Sequence, residues 1–373
     1  MHYLQIKDLL SKVELSSVIL DIMLGFLLFA GSLHTNWTSI KSRLKSITLF
    51  ALGGVLLSTV LIAFLLYYLC SILGIQIDLL HCLIFGALIS PTDPIAVLGI
   101  LTKANVSKKV ESTIVGESLF NDGVGVVLFV ALLEIVKAGN SEMDFSLFGR
   151  LFVQEALGGL AYGMVLGFAL HYLLKSIDNY ETEVLLTLAF VMAGYTASFF
   201  LHISGALAMV VMGLLVGNYK RDKSMSDRTQ EYVHKFWELV DVILNAVLFI
   251  SIAFVMVVVD FQYLYFIVGV AAILIVLFSR VVIVYLPKYL LSKLTDLTGN
   301  EAIIVVWGGL RGGLSIALVL SLPDSPYKVI LLVATYCCVV FSIIVHGLTI
   351  GKLAKHIGKK TILDNKSFCF LPK

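Results

Sequence analysis

Apolar stretches of about 20 residues recur along the whole chain and constrain its fold more than any other feature. Each stretch is long enough for a helix to cross a hydrocarbon core of roughly 30 Å. Hydrophobic residues make up 59% of the 373 residues and charged residues only 14%, which argues against a large soluble protein. The stretches are continuous rather than alternating, which excludes a membrane β-barrel. The sequence therefore predicts an all-α membrane protein.

We assign about eleven transmembrane helices and treat residues 1–373 as one transmembrane domain. The segments are residues 15–33, 47–73, 79–101, 112–136, 151–174, 184–201, 203–219, 237–258, 262–286, 301–321 and 328–350. We expect neither a signal peptide nor a soluble domain. The five cysteines lack metal-binding spacing, so neither a disulfide nor a metal cluster is expected.

The basic residues alternate from one connection to the next. Of the 27 lysines and arginines, 20 lie in the odd-numbered connections and the C-terminal tail, and 5 lie in the N-terminal lead and the even-numbered connections. The remaining two, Arg280 and Arg311, lie inside apolar segments. Cytoplasmic loops carry the excess of lysine and arginine. We therefore expect a multi-pass protein of the inner (cytoplasmic) membrane, with a cytoplasmic C-terminus and residues 1–14 outside.

The third segment is interrupted by Ser90-Pro91-Thr92-Asp93-Pro94. Each proline lacks an N–H and clashes with the preceding turn, so a helix is expected to break here. At membrane depth a break is tolerated only where protein or water satisfies the freed backbone groups, and transporters use such breaks to bind ions. A simple proline kink is the structural alternative, although the carboxylate of Asp93 between the prolines favours an ion site.

The fourth segment carries a stripe of polar residues within Gly116-Glu117-Ser118-Leu119-Phe120-Asn121-Asp122-Gly123. Glu117, Ser118, Asn121 and Asp122 fall on one arc of about 140° of a helix. Their oxygens suit a small hard cation, and a desolvated carboxylate also tends to take up a proton. A proton and a cation would then compete for one site. Polar contacts that only hold helices together are the alternative interpretation.

The tenth segment contains Trp307-Gly308-Gly309-Leu310-Arg311-Gly312-Gly313. The glycines weaken the helix and permit local unwinding. A buried arginine stays charged and needs a carboxylate partner, for which Glu117 and Asp93 are the natural candidates. From the residues alone, a structural ion pair and direct ion handling are equally compatible with Arg311.

Other polar residues of the apolar segments are interpreted more simply. Arg280 lies about six residues, or roughly 9 Å, from a segment end, so it is expected to snorkel or to form a local ion pair. Asp241 lies near a segment end and is expected at the membrane interface. Asn245 and His346 are deeper and are expected to form interhelical hydrogen bonds.

Three motifs together resemble a known family: Ser-Pro-Thr-Asp-Pro at 90–94, Gly-Glu-Ser-Leu-Phe-Asn-Asp-Gly at 116–123 and Gly-Gly-Leu-Arg-Gly-Gly at 308–313. In this order they are similar to the motifs of bacterial NhaP-type sodium/proton antiporters. These belong to the monovalent cation:proton antiporter-1 family, related to the animal sodium/proton exchangers. The resemblance covers nearly the whole chain.

The resemblance implies an NhaA-like antiporter fold with inverted repeats and crossed, broken helices. The motifs of the core domain would lie at 79–136 and 301–350, and other helices would partly form the dimerisation domain of a homodimer. Alternating access would come from an elevator-like movement of the core. Na⁺ and H⁺ would be the substrates, with no cofactor.

The resemblance also implies a set of cation ligands. Asp122 would be the carboxylate that exchanges a proton for sodium, and Ser118 would be a direct ligand. Thr92 would offer its backbone carbonyl, Asp93 would complete the shell, and Asn121 would brace the break at Thr92. Asn121 stands where electrogenic relatives carry a second aspartate, which would imply one-for-one, electroneutral exchange.

A structural ion pair between Glu117 and Arg311 is the last role that the resemblance implies. The chain also departs from the family. Relatives usually carry two more helices ahead of the first segment, which this chain is expected to lack, and many have an acidic residue where Ala30 stands. Those helices would belong to the dimerisation face, and their absence would fit a truncated gene product.

The expected function is secondary active antiport of H⁺ against Na⁺, Li⁺ or K⁺, which the sequence does not distinguish because all three are hard cations. A truncated, non-transporting remnant or sensor is the main alternative, and a cation channel is a further one. No enzyme is expected, since nothing resembles a serine–histidine dyad, an HExxH helix or a phosphate loop. Membrane lipid is the expected surrounding, and nucleic acid is not an expected partner.

Overall fold

The computed structural model describes residues 23–93, 107–138, 145–177, 179–218, 227–258, 262–295 and 297–368. These ranges are almost entirely helical, and no β-strand occurs within them. In chain order the helices are α1 Leu24–Leu33, α2 Trp37–Thr48, α3 Val55–Ile72, α4 Leu79–Ile89, α5 Lys108–Lys137, α6 Phe145–Lys175, α7 Tyr180–Leu201, α8 Gly205–Asn218, α9 Asp227–Val258, α10 Tyr263–Leu290, α11 Ser292–Thr295, α12 Gly299–Trp307, α13 Gly313–Leu320, α14 Lys328–Phe341 and α15 Gly347–Phe368.

Two π-helical stretches join neighbouring helices into longer ones. Residues Leu49–Gly54 connect α2 to α3, and residues Ser342–His346 connect α14 to α15. Six helices of the described chain are long and apolar enough to cross a membrane, and three shorter apolar helices, α1, α4 and α8, accompany them. Each predicted segment contains a helix, so the all-α membrane fold is confirmed. The predicted start of the first segment at residue 15 lies outside the described residues.

The outer faces of the bundle are apolar. Val165 is 65% exposed, Leu185 is 63% exposed and Leu274 is 66% exposed, and similar side chains cover α3, α6, α7, α9 and α10. A soluble protein rarely leaves apolar patches of this extent in water. These faces are therefore the surface that meets lipid.

The fifth helix occupies the centre of the polar region. It packs against α2, α4, α6 and α8, while α4 packs against α3, α10 against α14, and α9 against α1. Gly86 permits the close approach of α4, because a Cβ there would lie 2.9 Å from Thr59 Cα on α3. Small residues at such crossings let membrane helices pack backbone to backbone.

Two segments are broken, as the sequence predicts. The third predicted segment forms α4 only as far as Ile89, and residues 91–93 are not helical. Pro94 and the rest of that segment lie outside the described residues. The tenth predicted segment is two short helices, α12 and α13, separated by Gly308–Gly312.

Candidate cation-binding site

The first break follows from the proline at position 91. Its nitrogen carries no hydrogen, so the carbonyl of Ala87 loses its helical donor and α4 ends. The last helical hydrogen bond runs from Ser90 N–H to the Gly86 carbonyl, at 3.1 Å. In a continuous helix the Ser90 carbonyl would accept from residue 94, but that residue is also a proline. The break therefore leaves carbonyls that need donors from elsewhere.

The second break crosses the first. The backbone N–H of Asp93 donates to the Leu310 carbonyl at 2.8 Å, which ties the two non-helical stretches together. Gly312 makes this approach possible, since a Cβ there would lie 2.6 Å from Asp93 Oδ2 and 2.8 Å from Asp93 Cβ. The N–H of Arg311 donates to Ser342 Oγ at 2.8 Å, at the start of the second π-helical stretch. Crossed, broken helices thus form the centre of the molecule.

Arg311 supplies donors to the first break. Its side chain is buried, and Nη1 donates to the carbonyls of Ser90 and Pro91, the latter at 2.8 Å. The Ser90 carbonyl is the one that Pro94 deprives of a helical donor, and the Pro91 carbonyl follows it in the non-helical stretch. A guanidinium suits this role because it presents several N–H groups in one plane and stays charged.

The predicted ion pair between Glu117 and Arg311 is wrong. Glu117 instead pairs with Arg280 of α10: Nη1 contacts Oε1, and Nη2 lies 3.0 Å from Oε2. Arg280 Nη2 also donates to the Val305 carbonyl at 3.0 Å. The physical reason is direction, because Glu117 faces α10 while Arg311 turns into the break of α4.

For Arg280 the sequence predicts either snorkelling to the membrane surface or a local ion pair. The ion pair is confirmed, and snorkelling is wrong because the side chain is only 7% exposed. Gly309 makes room for it, since a Cβ there would lie 3.0 Å from Arg280 Cζ. The sequence did contain a signal for this ion pair. Two arginines, Arg280 and Arg311, lie within apolar segments, and each needs buried acceptors.

Three polar residues of the predicted ligand set are in contact. Asn121 Nδ2 donates to Thr92 Oγ1 at 2.8 Å, and the Thr92 N–H donates to Asn121 Oδ1 at 3.3 Å. The hydroxyls of Thr92 and Ser118 are 3.0 Å apart. All three side chains are buried. Asn121 thus braces the chain at the break, as the resemblance implied.

A cavity of about 570 Å³ opens beside this cluster. Asp93, Asp122 and Thr92 line it, whereas Ser118 and Asn121 lie behind Thr92 and do not. The charges of Asp93 and Asp122 repel each other, and the charge of Arg311 attracts Asp122. Two carboxylates facing one space favour a bound proton or cation between them.

Asp241 and Asn245 form part of the cavity wall on α9. Asp241, expected at the membrane interface, lines the same cavity, and its charge and that of Asp93 repel each other. Asn245 Nδ2 donates to Asp241 Oδ1 at 3.1 Å, so its hydrogen bond lies within one helix rather than between two. The sequence does not predict that these two residues line the cavity, because proximity to a segment end does not reveal which way a helix face points.

The cavity extends away from the breaks towards the start of α5. Lys108, Glu111 and Ser112 of α5 line it there, together with His34 and Ser39 from the α1–α2 region. These residues belong to, or adjoin, the connections rich in basic residues. The breaks and their carboxylates are therefore reached from one side of the bundle.

Comparisons with known proteins agree on one family. Residues 3–356 match the family described as "Sodium/hydrogen exchanger, transmembrane". The chain is 44% identical to the Na⁺/H⁺ antiporter NhaP of Pseudomonas aeruginosa, over 95% of this chain and 84% of that protein. It is 34% identical to the Na⁺/H⁺ antiporter NhaH of Halobacillus dabanensis, over 92% of this chain and 83% of that protein.

A solved structure shows the same fold. The sodium proton antiporter MjNhaP1 of Methanocaldococcus jannaschii matches with a TM-score of 0.75 and 19% identity. The match covers 94% of this chain and 86% of that one. The antiporter fold expected from the three motifs is confirmed.

Proposed function

This chain belongs to the sodium/hydrogen exchanger family, and we propose that it carries out sodium/proton antiport with Asp122 as the carboxylate that the two ions share. The observation that carries this assignment is the position of Asp122, which lines the cavity next to Asp93 and the break at Thr92. Its relatives are named Na⁺/H⁺ antiporters, which supports antiport over the remnant, sensor and channel alternatives.

Sodium binding replaces water around the ion with protein oxygens. Asp122 and Asp93 supply charge, and Thr92 supplies oxygen at the break, where Asn121 fixes its position. Ser118 becomes a direct ligand only by exchanging its hydrogen bond with Thr92 for the ion. Hard oxygen ligands of this kind suit Na⁺ or Li⁺, and K⁺ in a wider shell.

The proton is proposed to bind at the same two carboxylates, Asp122 and Asp93. The two carboxylates repel each other while both are charged, so the site is stable only when it holds a cation or a proton. The proton therefore leaves as sodium enters, and sodium leaves as the proton returns. Asn121 contributes no charge beside Asp122, which supports electroneutral, one-for-one exchange.

Alternating access follows from the crossed breaks. The cavity reaches the ends of α1 and α5 that adjoin basic connections, and connections rich in lysine and arginine favour the cytoplasmic side. We therefore propose that the cavity opens to the cytoplasm in an inner-membrane protein whose C-terminus is cytoplasmic and whose N-terminus is outside. The core, with motifs at 79–136 and 301–350, moves against the other helices and exposes Asp122 to the opposite side. Those other helices provide the dimerisation surface of a homodimer.

Reconstitution into liposomes tests the assignment. A pH-sensitive dye inside the vesicles reports proton movement after a sodium gradient is imposed. The parent alkalinises or acidifies the lumen according to the direction of the gradient, and Asp122→Asn does not. Asp324→Asn is the matched control. It makes the same chemical change at a fully exposed aspartate outside the cavity.

The outcomes separate the alternatives. Equal proton movement in the parent and in Asp122→Asn contradicts the assignment. Currents far above a carrier's turnover and insensitive to the opposing ion gradient indicate a channel. A parent protein that neither moves protons nor binds sodium in calorimetry is a remnant or a sensor. Repeating the assay with Li⁺ and K⁺ gives the selectivity.

A further inference from the structure

We infer that His34 and His234 form a binding site for a divalent transition-metal ion such as Zn²⁺ at the mouth of the cation cavity. His34 follows the last residue of α1, and His234 lies on α9. His34 also lines the cavity. The pair thus joins two helices that both contribute to the cavity wall.

The two imidazoles are already close enough to share one ion. Their Nδ1 atoms are 3.1 Å apart, and their ring centroids are 5.1 Å apart. Two lone pairs would repel each other at this distance, so either one ring donates its Nδ1–H to the other or a metal ion takes the place of that hydrogen. Zinc binds imidazole nitrogen at 2.0–2.1 Å, and a tetrahedral angle then separates two nitrogens by about 3.3 Å. The observed separation is therefore close to that of a metal-bound pair.

A carboxylate is available as the third ligand. Glu238 lies four residues after His234 and on the same face of α9, and its charge attracts His34. Within the described chain, no group of three or more histidine, cysteine or acidic side chains is already arranged around one point. Glu238 is exposed and reaches the metal by changing its rotamer. The ammonium group of the neighbouring Lys235 forms an ion pair with Glu231, in which Nζ lies 2.6 Å from Oε1.

Imidazole and carboxylate are the ligands that Zn²⁺ prefers, while Na⁺ and K⁺ prefer oxygen alone. A divalent ion at this position repels Na⁺ on its way to the cavity and links α1 to α9. We therefore expect the metal to inhibit antiport from the side on which the cavity opens. Metal binding itself does not depend on whether the chain carries out antiport.

Calorimetric titration of Zn²⁺ into the purified full chain in detergent tests the site. The parent is expected to bind one Zn²⁺ at micromolar concentration. His34→Ala and His234→Ala are each expected to weaken this binding by about tenfold or more. His356→Ala is the matched control, because His356 is an exposed histidine of α15, and it should leave the affinity unchanged. Size-exclusion profiles of all variants check that they are folded.

Co²⁺ provides an independent probe, since its visible absorption reports nitrogen ligands and tetrahedral geometry. These bands are expected in the parent and lost in the double variant His34→Ala/His234→Ala. Equal Zn²⁺ affinity in the parent and in the double variant overturns the proposal. So does a parent that binds no Zn²⁺, because the two rings then share only a proton.

Liposome transport separates this site from the carboxylates of the cavity. Zn²⁺ inhibition that disappears in the double variant supports the histidine site. Inhibition that persists unchanged in the double variant assigns the effect to other groups and contradicts the proposed consequence. A parent that binds Zn²⁺ but shows no antiport leaves the metal site intact and refutes the transport assignment alone.

Discussion

Two carboxylates of one helix have opposite surroundings. Glu117 and Asp122 are five residues apart on α5, so their side chains point about 140° away from each other. Glu117 is only 2% exposed and has both oxygens on Arg280. Asp122 lines a cavity and faces the like charge of Asp93.

Under the proposed function, one helix carries a structural carboxylate on one side and a transporting carboxylate on another. A fixed guanidinium neutralises Glu117 permanently, and the pair then joins α5 to α10. Under the proposed function, the charge of Asp122 is neutralised by a mobile guest, either Na⁺ or H⁺. A carboxylate with a permanent partner could not exchange ions, and one without compensation could not lie at this depth.

The largest effect on stability is expected when the permanent pair is broken. Glu117→Gln leaves Arg280 as a buried charge, and removal of one partner from such a pair costs about 3–5 kcal/mol. Thermal unfolding in detergent should show a clear loss of stability. The double variant Glu117→Gln/Arg280→Met removes both charges and should recover much of it. A single variant as stable as the parent would show that the pair is not structural.

Neutralising Asp122 should have the opposite effect, a loss of transport without a loss of stability. Asp122→Asn is expected to lose coupled antiport by at least about 100-fold, a difference of roughly 2.7 kcal/mol. Its thermal midpoint should equal or exceed that of the parent, because the repulsion by Asp93 is removed. Transport and unfolding are measured on the same preparation. A strong loss of stability would place Asp122 among the structural residues with Glu117.

The crossing of the two breaks offers a steric test. Gly312→Ala places a methyl group against the Asp93 side chain and should cost about 1–3 kcal/mol through overpacking. Antiport activity is expected to fall because the position of Asp93 shifts. Gly31→Ala is the control, since Gly31 also lines the cavity but a Cβ there meets nothing within 4 Å. Equal losses in both variants would mean that the crossing is not sensitive to packing.

The smallest effect is expected on the opposite wall of the cavity. Asp241→Asn removes a charge that attracts entering cations but does not contact the break. The KM for Na⁺ should rise by about threefold, with little change in the maximal rate, because only long-range attraction is lost. The increase should shrink at high ionic strength. A loss of maximal rate instead would place Asp241 in the site itself.

The sequence was informative where the backbone itself carries the signal. Pro91 and the glycines at 308, 309, 312 and 313 predict breaks because of what they do to a helix locally, and both breaks are present. Asp122 stands out in the sequence because a carboxylate is costly at membrane depth. Such features depend on the residue and its neighbours in sequence, so they can be recognised without a structure.

The surroundings of Arg280 and Asp241 could not be predicted for a common reason. The distance of a residue from a segment end says nothing about the direction of its side chain. Arg280 reaches Glu117 from α10, which packs on α3 and α14, and Asp241 lines the cavity from α9, which packs on α1. The rotation of a helix about its axis is set by its neighbours.

By itself, the sequence determined that the chain is a helical membrane protein, where two of its helices break, and which polar residues lie among apolar ones. Local hydropathy, proline and glycine are sufficient for that. Only the tertiary structure decided which charge meets which: Arg280 with Glu117, Arg311 with the carbonyls at Ser90 and Pro91, and Asp122 with an open cavity. Pairing depends on how distant helices cross, and each buried charge has several candidate partners until that crossing is known.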